Sequence, residues 1–301
     1  MEEEIGLTDA QDTLIIMHRD AHFGGNFPLM IEYYEKGGKG VNEEFDLERI
    51  KELALLEKEM NQNLAGTLLS GADAEKVASA RDAYNTLRDL YESESPYSKH
   101  PKLIADLILS EQEDPDEEIQ AIVKEKGSIV NALVDLVHSE NFHDALFPGY
   151  GKAPALAAKC LGLIGDKKGI ITLFESLNGE DFFNEEIALK ALKSIGEPAK
   201  EFLLRVLHAR PVTSDNEKAA LALIQFKEDP QVQKTALEML EEPTVRNNPL
   251  LPVYLSLIFE ETKDSALQKR FRELLEDAAT PKTLRREMEM VAKSFAKGTK
   301  E

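Results

Sequence analysis

The chain has 301 residues, 42% of them apolar, so it can bury a sizeable core and wholesale disorder is excluded. Its formal net charge of −20 argues against a nucleic-acid backbone or an anionic membrane as the main partner, because both require clustered Lys and Arg. The single cysteine, Cys160, permits no disulfide framework and no thiolate zinc cluster within the chain.

The opening MEEEIGLTDA is acidic and lacks the basic and apolar regions of a signal peptide. The longest apolar runs, such as LLPVYLSLIF (250–259), are too short to span a bilayer. The expectation is a soluble, cytoplasmic protein whose acidic surface steers basic or neutral partners. Residues 281–301 carry 6 Lys/Arg against 3 Asp/Glu and are the one basic segment.

Nearly every segment carries helical periodicity, and Gly and Pro fall between apolar stretches rather than within them. The expected fold class is therefore all-α. The first helix is expected to start at Thr8, whose spacing to Gln11 is that of a capping box. It should end at Gly24-Gly25, with Asn26 capping the next helix and Pro28 in its first turn. That helix should stop at GGKG (37–40). Asp46 is placed to cap a long helix whose stripe is Leu47, Ile50, Leu53, Met60, Leu64 and Leu68. Asp73 is placed to cap another, with Val77, Ala80, Tyr84, Leu87 and Tyr91 on one face. SESPYSKHP (93–101) is the best linker candidate. The expected division is an N-terminal helical domain over 1–96, a repeat region over 97–280, and a basic helix over 281–301.

A repeat runs from about residue 116. Leu161 and Leu192 are 31 apart, as are Ile164 and Ile195, and Gly165 and Gly196. Leu223 and Phe226 lie another 31 on, and Leu255 and Ile258 a further 32. Each unit reads as a helix, a short turn holding Gly, Asp or Pro, and a second helix. EEIQAIVKEKGSIVNALVDLVHS (117–139) has the same form.

The turns LGLIGDKKG and LKSIGEPAK resemble the HEAT repeat, in its phycobilisome-lyase-type variety, over about 117–276. Small residues (Ala157, Ala158, Ala188, Ala191, Ala219, Ala220 and Ala222) would let neighbouring helices approach closely. One unit cannot bury its own apolar face, so the resemblance implies an α-solenoid of stacked helical hairpins. Lys227 in place of the turn glycine, and the long connection EEPTVRNNPLLP (241–252), depart from the pattern. The resemblance also implies that second-helix polar residues, including Lys168, Thr172, Glu175, Glu201, Arg205, His208, Lys234 and Glu238, line a concave surface. A solvated charged face is the plainer reading of them. HEAT-like deoxyhypusine hydroxylases hold iron with His-Glu dipeptides, of which this chain has none. HEAT-like DNA glycosylases use a basic groove, and this chain is acidic. Nothing identifies the chromophore site of a bilin lyase.

Three further stretches invite chemistry. MHRDAHFGGNF (17–27) has the His-Arg-Asp of a kinase catalytic loop, but the required Asn would fall at Gly25, one residue before Asn26. His18, Asp20 and His22 share a face only on a strand; on a helix Asp20 projects away from the two histidines. GGKG lacks the spacing and the Ser/Thr of a phosphate loop. Cys160 sits in an Ala-rich helix with no His in its repeat and reads as a buried thiol. The insertion HSENFHDALFPGYGKAP (138–154) carries Phe142, His143, Phe147 and Tyr150. It could bind a partner or cover the core at an irregular junction.

The functional expectation is a non-enzymatic scaffold, without a cofactor or metal, that binds a protein or peptide through the solenoid face or the 139–153 loop. The alternative is a metal-binding or metal-dependent module using His18, Asp20 and His22.

Overall fold

The computed structural model describes residues 10–38, 40, 42, 44–92, 99–112, 114–177, 182–260 and 262–295. Helices and their connecting turns make up all of them, and no strand occurs among the described residues. TLIIM (13–17), the one β-branched run, lies inside a helix. No helix among the described residues is long and apolar enough to cross a membrane. The chain forms two compact units, Met1–Cys160 and Leu161–Glu301. That division falls within a helix, well after the expected linker, whose residues 93–98 lie outside the described set, as does Thr8.

The first unit is built around α1 (Ala10–Phe23), with α2 (Phe27–Glu35), α3 (Leu47–Met60), α4 (Ala65–Leu68) and α5 (Gly71–Glu92) against or near it. Ile15 and Ile16 of α1 join Phe27, Met30, Tyr34, Ile50 and Leu53 in one buried cluster. Met17 and Ala21, on its other side, join Val77, Ala80, Leu146 and Phe147 in a second. Burying each such side chain contributes about 1.5–3 kcal/mol. α6 (Lys99–Leu109) packs on α5, and α7 (Asp116–Val123) and α8 (Val130–Val137) pack on α6. This continuity across the expected 96/97 boundary explains why the unit extends to 160. α9 (Ala153–Ile164) spans the division.

Local sequence explains most helix ends. Gly24 and Gly25 have positive φ, and the Asn26 side chain accepts the amide of Leu29 with Pro28 in the first turn, as the residues imply. Asp46 caps α3 by accepting from Glu48. The cap of α5 is Ser70 rather than Asp73: the Ser70 hydroxyl accepts the Asp73 amide while Asp73 accepts from Ser70. The expected helix through Leu68 breaks at Asn61, in the left-handed region. There the Glu57 carboxylate accepts the Leu64 amide and Asn63 accepts that of Ala65, which outweighs the apolar period. Met60 is consequently exposed.

The second unit continues with α10 (Ile170–Glu175), α11 (Phe182–Ile195), α12 (Glu197–His208), α13 (Ser214–Leu223) and α14 (Pro230–Glu241), of which α11 packs on α10 and α12, and α13 on α12. α15 (Pro243–Arg246), α16 (Leu251–Leu257), α17 (Ser265–Glu276) and α18 (Lys282–Ser294) follow. The leucines at the repeat spacing, Leu161, Leu192, Leu223 and Leu255, are all buried. Gly165 and Gly196 both take positive φ at their turns, a conformation glycine accepts without steric cost. Gly162 packs so close to α11 that a Cβ there would lie 2.6 Å from the Ala191 Cα. Ion pairs step along the unit at near-repeat spacing: Lys200–Asp229, Lys227–Glu260, Arg210–Glu242 and Arg246–Asp277. α18 packs on α16 and α17 through the expected Leu284, Met288, Val291 and Phe295.

Candidate functional site

Two places concentrate polar side chains, one in each unit. The first surrounds the histidines of α1. His18 and His22 lie one helical turn apart, ring centroids 4.4 Å from each other and planes tilted by 54°, as neighbours at the helix period. Asp20 is not with them. It holds the buried Arg19, which also reaches Glu57 at 2.6 Å and Asn63 at 3.0 Å and lies 4.6 Å from the Phe27 ring centroid. Neither His18 nor Arg19 serves as an exposed cation at the helix end; both are buried.

His22 Nε2 donates to the Ala145 carbonyl at 3.1 Å, so Nδ1 accepts from the Tyr84 hydroxyl at 2.7 Å. The Tyr150 hydroxyl lies near those of Tyr84 and Tyr33, and Tyr33 donates to Glu111 at 3.4 Å. Burial pushes His18 down to about 3, helped by His22, and pushes His22 down to about 4 against its bond to Ala145 and the Asp144 charge. Burial likewise raises Tyr84 and Tyr150. These are neutral, interior groups. Gly40 fits because a methyl there would overlap the Tyr150 ring, so GGKG is a close approach as well as a helix stop. Among the described residues no three His, Cys, Asp or Glu side chains are grouped to hold a metal.

The insertion is absorbed by the same packing. Phe147 is buried and Phe142 half-buried against Met17, Ala21, Val77 and Ala80. Tyr150 is half-buried on His22. His143 is exposed, its Nε2 bonded to the Val137 carbonyl at 2.9 Å. Phe147 is therefore corrected from a partner-binding candidate to a core residue. Cys160 is buried, and desolvation pushes its thiol up to about 12.

The second place is a groove of about 510 Å³ between α12 and α14. It is lined by Glu201, Leu204, Arg205, His208 and Ala209 on one side and by Gln231 and Thr235 on the other. Lys200 joins Asp229 at 2.5 Å where the helices start, and Arg210 bonds Glu242 at 2.8 Å where they end. The two helices thus run side by side in the same direction. Three expected residues, Glu201, Arg205 and His208, come together here because they share one face at i, i+4 and i+7.

Lys168, Thr172 and Glu175 do not line this groove. Lys168 and Glu175 are exposed, but Thr172 is buried and is corrected to a core position. The buried set Ile170, Leu173, Phe174 and Leu177 matches Lys200, Leu203, Leu204 and Leu207 thirty residues on. The expected polar set sits thirty-three residues before Glu201, Arg205 and His208, which rotates Thr172 inward. Lys234 and Glu238 face each other at 3.9 Å. Gln231 and Thr235 went unnoticed in the sequence, although their i, i+4 spacing on the neighbouring helix marks one face.

No protein-family model and no curated protein matches the chain.

Proposed function

We propose that this protein is a non-enzymatic interaction scaffold, an α-solenoid of HEAT-like helical hairpins that binds a protein or peptide in the α12–α14 groove. One observation carries the reading. Among the described residues, Glu201, Arg205, His208, Gln231 and Thr235 converge on the groove, and none of their side chains bonds another residue. Elsewhere on these helices polar side chains are paired, as in Lys200–Asp229. The net charge of −20 favours a protein or peptide partner over nucleic acid or an anionic membrane.

The metal-binding alternative is less well supported, since both nitrogens of His22 are engaged and Asp20 serves Arg19. Photo-crosslinking residues placed at Arg205 and Gln231 should capture a partner in cells, whereas one at the exposed Leu163 should not. Equal capture from all three positions would sink the groove assignment. A stoichiometric metal in protein purified without an affinity tag, lost on joint His18→Ala and His22→Ala substitution, would favour the alternative.

A further inference from the structure

The α12–α14 groove also carries information about its occupant. Thr235 is only 6% exposed, yet it lines the groove and makes no hydrogen bond with a described residue. Its hydroxyl is not sealed from solvent, so a main-chain amide or carbonyl of an occupant would take the place of water as its partner. The Gln231 amide, also unbonded, offers a second donor and acceptor.

The charges are ordered along the groove. Because α12 and α14 run in the same direction, Glu201 and Gln231 lie at one end, Arg205 and Thr235 in the middle, and His208 and Ala209 at the other end. Glu201 and Arg205 are four residues apart, about 6 Å along the helix axis. They form no ion pair with each other or with any other described residue. An extended peptide advances about 6.6 Å over two residues, and its i and i+2 side chains point to the same side. The two spacings match.

We infer that the groove binds an extended peptide segment with one basic and one acidic residue two positions apart. The basic residue sits on Glu201 and the acidic one on Arg205, while Gln231 and Thr235 bond the peptide main chain. A segment of a single sign would place like charges together at one of the two positions. This rests on the scaffold reading above and names the chemistry of its partner.

Four end-blocked, dye-labelled peptides test it, identical except for Lys-x-Glu, Glu-x-Lys, Glu-x-Glu or Lys-x-Lys at their centre, titrated against the full chain by fluorescence anisotropy. One of the two bipolar peptides should bind about fivefold tighter than both single-sign peptides. Glu201→Lys should move the preference to Glu-x-Glu, and Arg205→Glu should move it to Lys-x-Lys. Both side chains are exposed, so the variants should keep the parent's thermal transition, which circular dichroism checks. Tightest wild-type binding to a single-sign peptide, no binding of any peptide at millimolar concentration, or a preference indifferent to both substitutions would overturn the inference. If the peptides fail while the crosslinker at Arg205 still captures a partner, the scaffold reading stands and the bipolar occupant falls. If both fail, both fall.

Discussion

The ring of Tyr150 stacks on that of His22, with centroids 4.4 Å apart and planes 28° from parallel. Tyr150 holds this position at φ 52, in the left-handed region a non-glycine residue seldom occupies, between Gly149 and Gly151, which also have positive φ. The contact outweighs that backbone strain by seating the 138–154 insertion on α1. Tyr150→Ala should destabilise the protein by roughly 2–4 kcal/mol through lost packing. Tyr150→Phe keeps the stack and removes only the hydroxyl beside Tyr84 and Tyr33, and should cost about 1 kcal/mol. Urea denaturation of the two variants separates these effects. Equal losses would mean that the hydroxyl, not the ring, anchors the insertion.

The same cluster should make stability fall with acid. An unfolded imidazole takes up its proton near 6.5, while His18 and His22 stay neutral in the folded protein down to about 3 and about 4. In that window the unfolded state binds more protons, so the contribution is complete above 6.5 and shrinks as pH falls. Each imidazole should steepen the decline by up to about 1.4 kcal/mol per pH unit. Urea midpoints at pH 7.5, 6.0 and 5.0 should therefore drop markedly, and joint His18→Leu and His22→Gln substitution should flatten the drop. An unchanged slope in that variant would show that other groups govern the acid response.

What the sequence disclosed followed from local rules. The 31-residue spacing of Leu161, Leu192 and Leu223 marked buried positions because an apolar side chain recurring at the same place in successive helices is one the fold must bury. Asn26 and Asp46 were legible as caps because capping is decided within three residues. The break at Asn61 was not legible, because it depends on Glu57 and Asn63, which Arg19 binds from another helix. Thr172 was misplaced because the second helices of successive units do not keep the period of the first. The groove was half visible: three residues on α12 share a helical face, but their company with Gln231 and Thr235 arises only when two helices align.

Arg19 tests that tertiary override. Its side chain is fully buried and bonded to Asp20, Glu57 and Asn63. Arg19→Met should destabilise by about 3–5 kcal/mol, because it leaves Asp20 and Glu57 partly buried without their counter-ion. Adding Glu57→Gln should restore part of that loss, giving a coupling above about 1 kcal/mol in a double-mutant cycle. A cost under about 1 kcal/mol for Arg19→Met would show that the α3–α4 junction does not need the ion pair.

Two glycines three residues apart should respond for different reasons. Gly162 faces α11, and a methyl there would lie 2.6 Å from the Ala191 Cα and 2.7 Å from its Cβ. The contact is with backbone, which cannot move aside as a flexible side chain could, so the helices must separate. Gly162→Ala should cost about 1–3 kcal/mol despite alanine's better helix propensity. Gly165 has open space around its missing Cβ but sits at φ +72. Gly165→Ala should cost about 1–2 kcal/mol from backbone strain alone. Gly165→Asn should recover much of that, because Asn tolerates the left-handed conformation, whereas Gly162→Asn should be worse than Gly162→Ala. Thermal or urea unfolding of the four variants distinguishes close approach from conformation. Rescue by Asn at both positions would mean that Gly162 is not a packing residue and that α9 and α11 do not owe their spacing to it.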